Sequence, residues 1–76
     1  MTVARLKELR RMSVPELARL ARATQDRGQF WFLTGMIITT TKDPNVARVL
    51  WKAGHAKTAD YETAIEVCGE LAGEIL

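Results

Sequence analysis

The sequence predicts an all-α fold, a small helical bundle of about four helices forming a single domain over residues 1–76. Three observations carry that expectation. Ser13-Val14-Pro15-Glu16 and Asp43-Pro44 are helix-start signatures: a hydroxyl or carboxylate caps the first turn, and a proline sits where its missing N–H costs nothing. The last fifteen or so residues repeat apolar side chains at helical spacing. The single β-like run, Phe30 to Thr41, has no second run in the chain to pair with, and a lone strand is not stable by itself.

Taken in order, Thr2 can cap a short first helix whose apolar positions are Val3, Leu6 and Leu9, with Arg5, Lys7, Arg10 and Arg11 around them. Ser13 opens a second helix through a capping box, in which the serine takes the Glu16 amide and the glutamate reaches back. Leu17, Leu20, Ala21 and Thr24 make its apolar stripe, with Arg19 and Arg22 projecting away. The spacing favours continuation of this helix, straight or kinked, through Gly28. The competing reading has Asp26, with Gln29 three residues later, capping a fresh helix.

Phe30 to Thr41 reads FWFLTGMIITTT and carries no charge. At about 100° per residue, Phe30, Leu33 and Ile37 point one way, Trp31 and Ile38 another, Phe32 and Met36 a third. Such a pattern predicts a central helix around 28–41 that is covered on every side. Aromatic and β-branched residues also favour strands, so a strand paired with a second copy is the competing reading.

Lys42-Asp43-Pro44 ends that helix and starts the next, which is expected to close at Gly54 after Ala53. Its core face is Val46, Val49, Leu50 and Ala53; Trp51 falls about 140° from Val46 and points away. A loop from Gly54 to Lys57 follows. Thr58 or Asp60 then caps a last helix running to the C-terminus, with Tyr61, Ala64, Ile65, Cys68, Leu71, Ala72 and Ile75 as its stripe.

A chain of 76 residues has room for one small core. One cysteine, Cys68, excludes an internal disulfide and lacks the clustered partners of a zinc site, which suits a reducing compartment. The charged start MTVARLKELRRM is not a secretory signal, and the apolar run is short of the roughly 20 residues that span a bilayer. A cytoplasmic protein with no membrane contact is the expectation. Residues 1–27 hold seven basic and three acidic side chains; residues 28–76 hold four and six. The front of the chain is basic and the back is acidic.

Chemistry finds little support in the sequence. Cys68 sits in the middle of an apolar stripe, His55 lies in a loop with no reason to approach it, and neither a phosphate-binding loop nor metal-ligand spacing is present. Enzyme activity, a cofactor and a metal are not expected. Surfaces are more informative. Trp51, and with it Trp31, is a residue type that anchors protein interfaces. Glu62, Glu66, Glu70 and Glu74 follow at steps of four, a solvated face that also suits a basic partner. Gly69 and Gly73 leave a smooth strip for close backbone approach, or else mark fraying near the end of the helix.

The expected function is therefore that of a small freestanding protein-interaction module, an adaptor, regulator or inhibitor, acting as a homodimer. In size and class this profile is similar to that of small inhibitors encoded by phages or mobile elements. The alternative is nucleic-acid binding through Arg5, Lys7, Arg10, Arg11, Arg19 and Arg22. VPELARLARAT, residues 14–24, resembles the first helix of a helix-turn-helix domain, but the apolar FWFLTGMII stands where a polar recognition helix belongs. A third possibility is sequestration of a small ligand between copies near Trp31 or Trp51.

Overall fold

The computed structural model describes residues 2–74, and among these every regular element is a helix. The described residues form five: α1 (Val3–Arg10), α2 (Val14–Ala23), α3 (Arg27–Thr40), α4 (Pro44–His55) and α5 (Tyr61–Ala72). The all-helical expectation holds, and the β-like run is helix α3. The count differs from about four because residues 14–41 form two helices rather than one continuous or kinked helix.

Local hydrogen bonding explains that break. Thr24 is extended, its hydroxyl accepts the Asp26 amide at 3.3 Å, and the Asp26 carboxylate accepts the Gln29 amide at 3.1 Å. Short polar side chains thus offer the backbone an alternative to another helical turn, and it outcompetes helix propensity there. The joint between α3 and α4 repeats this pattern: Thr41 accepts from the Asp43 amide at 3.2 Å, and Asp43 from the Asn45 amide at 2.9 Å. At the third such joint Asp60 caps α5, taking the Thr63 amide at 3.1 Å and the Thr63 hydroxyl at 2.6 Å. Those two bonds, hydroxyl first, hold its carboxyl below the usual range.

The start of α2 is the capping box expected. Glu16 N–H reaches Ser13 Oγ at 3.4 Å, and Ser13 N–H reaches Glu16 Oε1 at 3.2 Å. Bonding from the Ser13 hydroxyl, then from its amide, lowers the pKa of Glu16. Thr2 caps α1 by accepting the Arg5 amide at 3.1 Å.

Packing runs around the helices in a circuit. α3 lies along α2 and α4, α5 lies along the same two, and α2 with α5 is the most extensive pair. Small side chains make that pairing close: α2 buries Ala18 and Ala21 beside Leu17, and α5 buries Ala64, Cys68, Gly69 and Ala72. Leu9 of α1, Phe30, Leu33 and Ile37 of α3, and Leu50 and Ala53 of α4 complete the core.

Several expectations need correction. α3 is not covered all round, since it is flanked by two helices and leaves Phe32 41% exposed. α4 does not stop at Gly54; it runs to His55, so His55 is helical and not in a loop. Val49, expected in the core, is 38% exposed, because Leu50 and Ala53 already fill the inward face. Val3 is 70% exposed, leaving Leu9 as the buried anchor of α1. Arg22 does not point away from the chain but reaches Glu74, Nη1 to Oε2, at 3.0 Å. The last helix ends at Ala72. Gly73 adopts a left-handed conformation (φ 72°), and the bonds from Gly73 N–H to Glu70 O and Glu74 N–H to Gly69 O close a Schellman motif. Ile75, expected in the apolar stripe, lies outside the described residues.

Candidate docking surface

The residues singled out in the sequence fall on separate parts of the molecule; Arg22 pairs with Glu74, and the two tryptophans come together. Trp31 and Trp51, on α3 and α4, line one cleft of about 150 Å³ whose floor includes Gly35 and Leu50. Trp31 is held from two sides: it meets Phe30 edge-on, centroids 5.0 Å apart, and its ring packs on Gly54 of α4. Phe30 in turn packs on Tyr61 at 4.7 Å, and the Arg27 guanidinium sits 3.5 Å above the Tyr61 ring. This aromatic series fixes the N-terminal end of α3 against that of α5. It makes Trp31 a rigid wall rather than a loose side chain.

Trp51 forms the opposite wall and is 53% exposed. His55, one turn on, stacks on it with ring centroids 4.1 Å apart and planes 15° from parallel. His55 Nδ1 also lies 2.9 Å from the Trp51 carbonyl oxygen, which can only accept, so the proton is on Nδ1. A helix-backbone bond and a stacked ring together limit the rotamers open to the pair.

The surface continues past Trp31 and Gly35 to Phe32 and Met36, and then to Leu6 and Arg10 of α1. Gly35 adds no side chain to it, and a Cβ built there meets nothing within 4 Å. Two of the threonines of α3 that line it bond their hydroxyls to their own helix. Thr34 donates its hydroxyl to the Trp31 carbonyl and Thr39 to the Met36 carbonyl, each at 2.9 Å. What remains is an apolar face, with Trp51 and Phe32 as its most exposed large side chains.

The other candidates are elsewhere. Glu62, Glu66 and Glu70 are exposed along α5, whereas Glu74 lies beyond its end and pairs with Arg22. Gly69 is buried inside the chain, and Gly73 is the left-handed cap. Of the basic residues, Arg5 is 3.3 Å from Glu8, and Lys7 and Arg11 border a hollow that also contains Glu8 and Glu16. Arg19 shares another hollow with Glu16 and Glu74. Carboxylates are thus interleaved with the cations of α1 and α2.

Cys68 is fully buried, and burial pushes its thiol up to about 11, against a smaller opposing pull from Arg22. Among the described residues, no group of three or more His, Cys, Asp or Glu side chains stands together to hold a metal ion, and no helix is long and apolar enough to cross a membrane.

Sequence reading identified Trp31 and Trp51 but missed Phe32, Gly35, His55 and Leu6 as members of the same surface. For Phe32 the signal was present: a helix apolar on all sides, within a chain too short to cover them, must expose one of them. Compared with known proteins, the chain matches no protein-family model, no curated protein and no solved structure.

Proposed function

We propose that the chain is a small non-catalytic protein-interaction module, an adaptor, regulator or inhibitor, which works by docking another protein chain on the α3–α4 face. The observation that carries this reading is the placement of Trp51 and Phe32, both exposed, on one continuous apolar surface around the open Gly35. Large aromatics held by a rigid support are the residues that dominate interface energetics. Trp31, wedged between Phe30 and Gly54, supplies that support.

A buried Cys68 with its thiol pushed up to about 11 supports the non-catalytic part, since the thiolate is the nucleophile. The cleft between Trp31 and Trp51, about 150 Å³, is below the roughly 300–1,000 Å³ of small-molecule pockets. The adjoining hollow of about 490 Å³ over Phe32 and Met36 is open surface rather than an enclosed cavity, and together these favour a protein over a small ligand. Interleaving of Glu8, Glu16 and Glu74 among the arginines makes nucleic acid the lesser reading. A homodimer is one form that docking can take.

The test is Trp51→Ala. It is expected to leave helical circular dichroism intact and to weaken binding of any chain docked on this face, a second copy included, by about thirtyfold, the loss typical of an interface anchor. Loss of helical signal would make Trp51 part of the core and end this reading.

A further inference from the structure

Resting on that docking face, we propose that its occupant is an acidic amphipathic helix belonging to a different protein. Shape is the first reason. The face is a shallow trough walled by Trp31 and Trp51, with Gly35 as its floor and α1 at its far edge. Such a trough accepts the apolar stripe of a helix, with anchors at i, i+3 or i+4, and i+7. The Thr34 and Thr39 hydroxyls are already bonded to their own helix, which leaves Thr40 at the margin as the threonine hydroxyl of the trough open to an extended peptide backbone, too little for a strand-like ladder.

Charge is the second reason. Among the described residues no carboxylate lines either part of the trough, whereas Arg10 borders it from α1. On α4, exposed Arg48 lies one turn before Trp51 and therefore flanks it. The carboxylates at the starts of α3 and α4, Asp26 and Asp43, are engaged as caps by the amides of Gln29 and Asn45. The glutamates of α5 are on a helix that packs on α2 and α4 rather than along α3. An apolar trough with a cationic rim selects an apolar stripe with acidic flanks.

The same facts disfavour a second copy. Two-fold pairing through this face would bring two copies of the same cationic rim together with no lining carboxylate on either copy to meet them. Head-to-tail pairing with the acidic side of α5 would bring carboxylates but no large exposed apolar side chain to fill the trough, because among the described residues those are Val3, Phe32, Val49 and Trp51. An anionic lipid surface shares the charge preference, but a flat bilayer does not fill a trough whose floor is an open glycine.

The test is selection, on the full chain, from a displayed library of helical peptides of roughly 16 residues, long enough for four turns. Leucine is fixed at the anchor positions, and the flanking positions are free to be Glu, Gln or Lys. Glutamate is expected to be enriched, the all-Glu peptide binding about tenfold tighter than its all-Lys twin at low salt and less so at high salt. Combined Arg10→Glu and Arg48→Glu changes are expected to reverse that preference. Enrichment of lysine, indifference to charge, or no enrichment at all overturns the acidic helix. If charge-indifferent binders still lose affinity on Trp51→Ala, the docking face survives and only the occupant is wrong; binders unaffected by Trp51→Ala remove the face itself. Tighter binding to phosphatidylserine-containing vesicles than to any selected peptide assigns the face to a membrane. A molar mass that doubles with concentration and reverts on Trp51→Ala assigns it to a second copy, and either result overturns the proposal.

Discussion

The ring of Trp31 rests on Gly54: its Cε3 and Cζ3 atoms lie 3.6 Å from the point where a Cβ on Gly54 would stand. This contact joins α3 to α4 beneath the docking face, at the penultimate residue of α4. At 3.6 Å an alanine methyl makes ordinary van der Waals contact, while a helical glycine costs up to about 1 kcal/mol relative to alanine. Gly54→Ala is therefore expected to raise stability by about 0.5–1 kcal/mol, several degrees in Tm by circular dichroism. A β-branched residue has lower helix propensity than alanine, so Gly54→Val is expected to gain less Tm than Gly54→Ala. A fall on Gly54→Ala would show that the ring does not pack at this distance.

Gly35 and Gly73 should respond to the same substitution in opposite directions. A methyl group at either position would meet open space, but Gly73 has φ 72° and Gly35 is in an ordinary helical turn. Gly35→Ala is expected to stabilise by up to about 1 kcal/mol. Gly73→Ala is expected to cost about 1–2 kcal/mol, because its Cβ crowds the carbonyl in the left-handed conformation. Equilibrium urea unfolding of the two variants decides; a gain on Gly73→Ala would mean that α5 does not end in the Schellman motif, and a loss on Gly35→Ala that the space at Gly35 is not open.

Cys68 predicts an alkaline limit to stability. Its folded-state value, pushed up to about 11, exceeds the ordinary 9.0, so above pH 9 the unfolded chain loses this proton before the folded one does. Stability is then expected to fall as pH rises from about 9 to about 11, at a limiting slope of about 1.4 kcal/mol per pH unit. Below pH 9 the thiol contributes no slope. Cys68→Ala lowers overall stability through a small cavity but should flatten this window, and a wild-type profile matching that of Cys68→Ala between those limits would show that the thiol is not the cause.

Much of the fold was legible in the caps. Ser13, Asp43 and Asp60 start helices where their side chains said they would. The missed joint was legible too, because Thr24-Gln25-Asp26, Thr41-Lys42-Asp43 and Thr58-Ala59-Asp60 share one pattern, with the aspartate capping the next helix each time. Gly54 misled because a glycine near a helix end need not be its cap: α4 continues one residue to His55, whose ring bonds back to the Trp51 carbonyl. The angle of Trp51 on α4 turns it from the core face, but a bundle can curl over such a residue, and its exposure is legible only in the structure. The direction in which α3 would face was not legible either, since a helix apolar on every side gives its periodicity no preferred orientation. Only the positions of α2 and α4 settle that Phe32 faces out.

The chain has two tryptophans, Trp31 and Trp51, and both line one cleft. Indole fluorescence from this molecule therefore originates at the docking face and nowhere else. Covering Trp51 moves it from water into an apolar contact, which shifts its emission to the blue, while unfolding shifts the emission of Trp31 to the red. Occupancy and denaturation thus carry opposite optical signs, and the unlabelled protein reports its own binding.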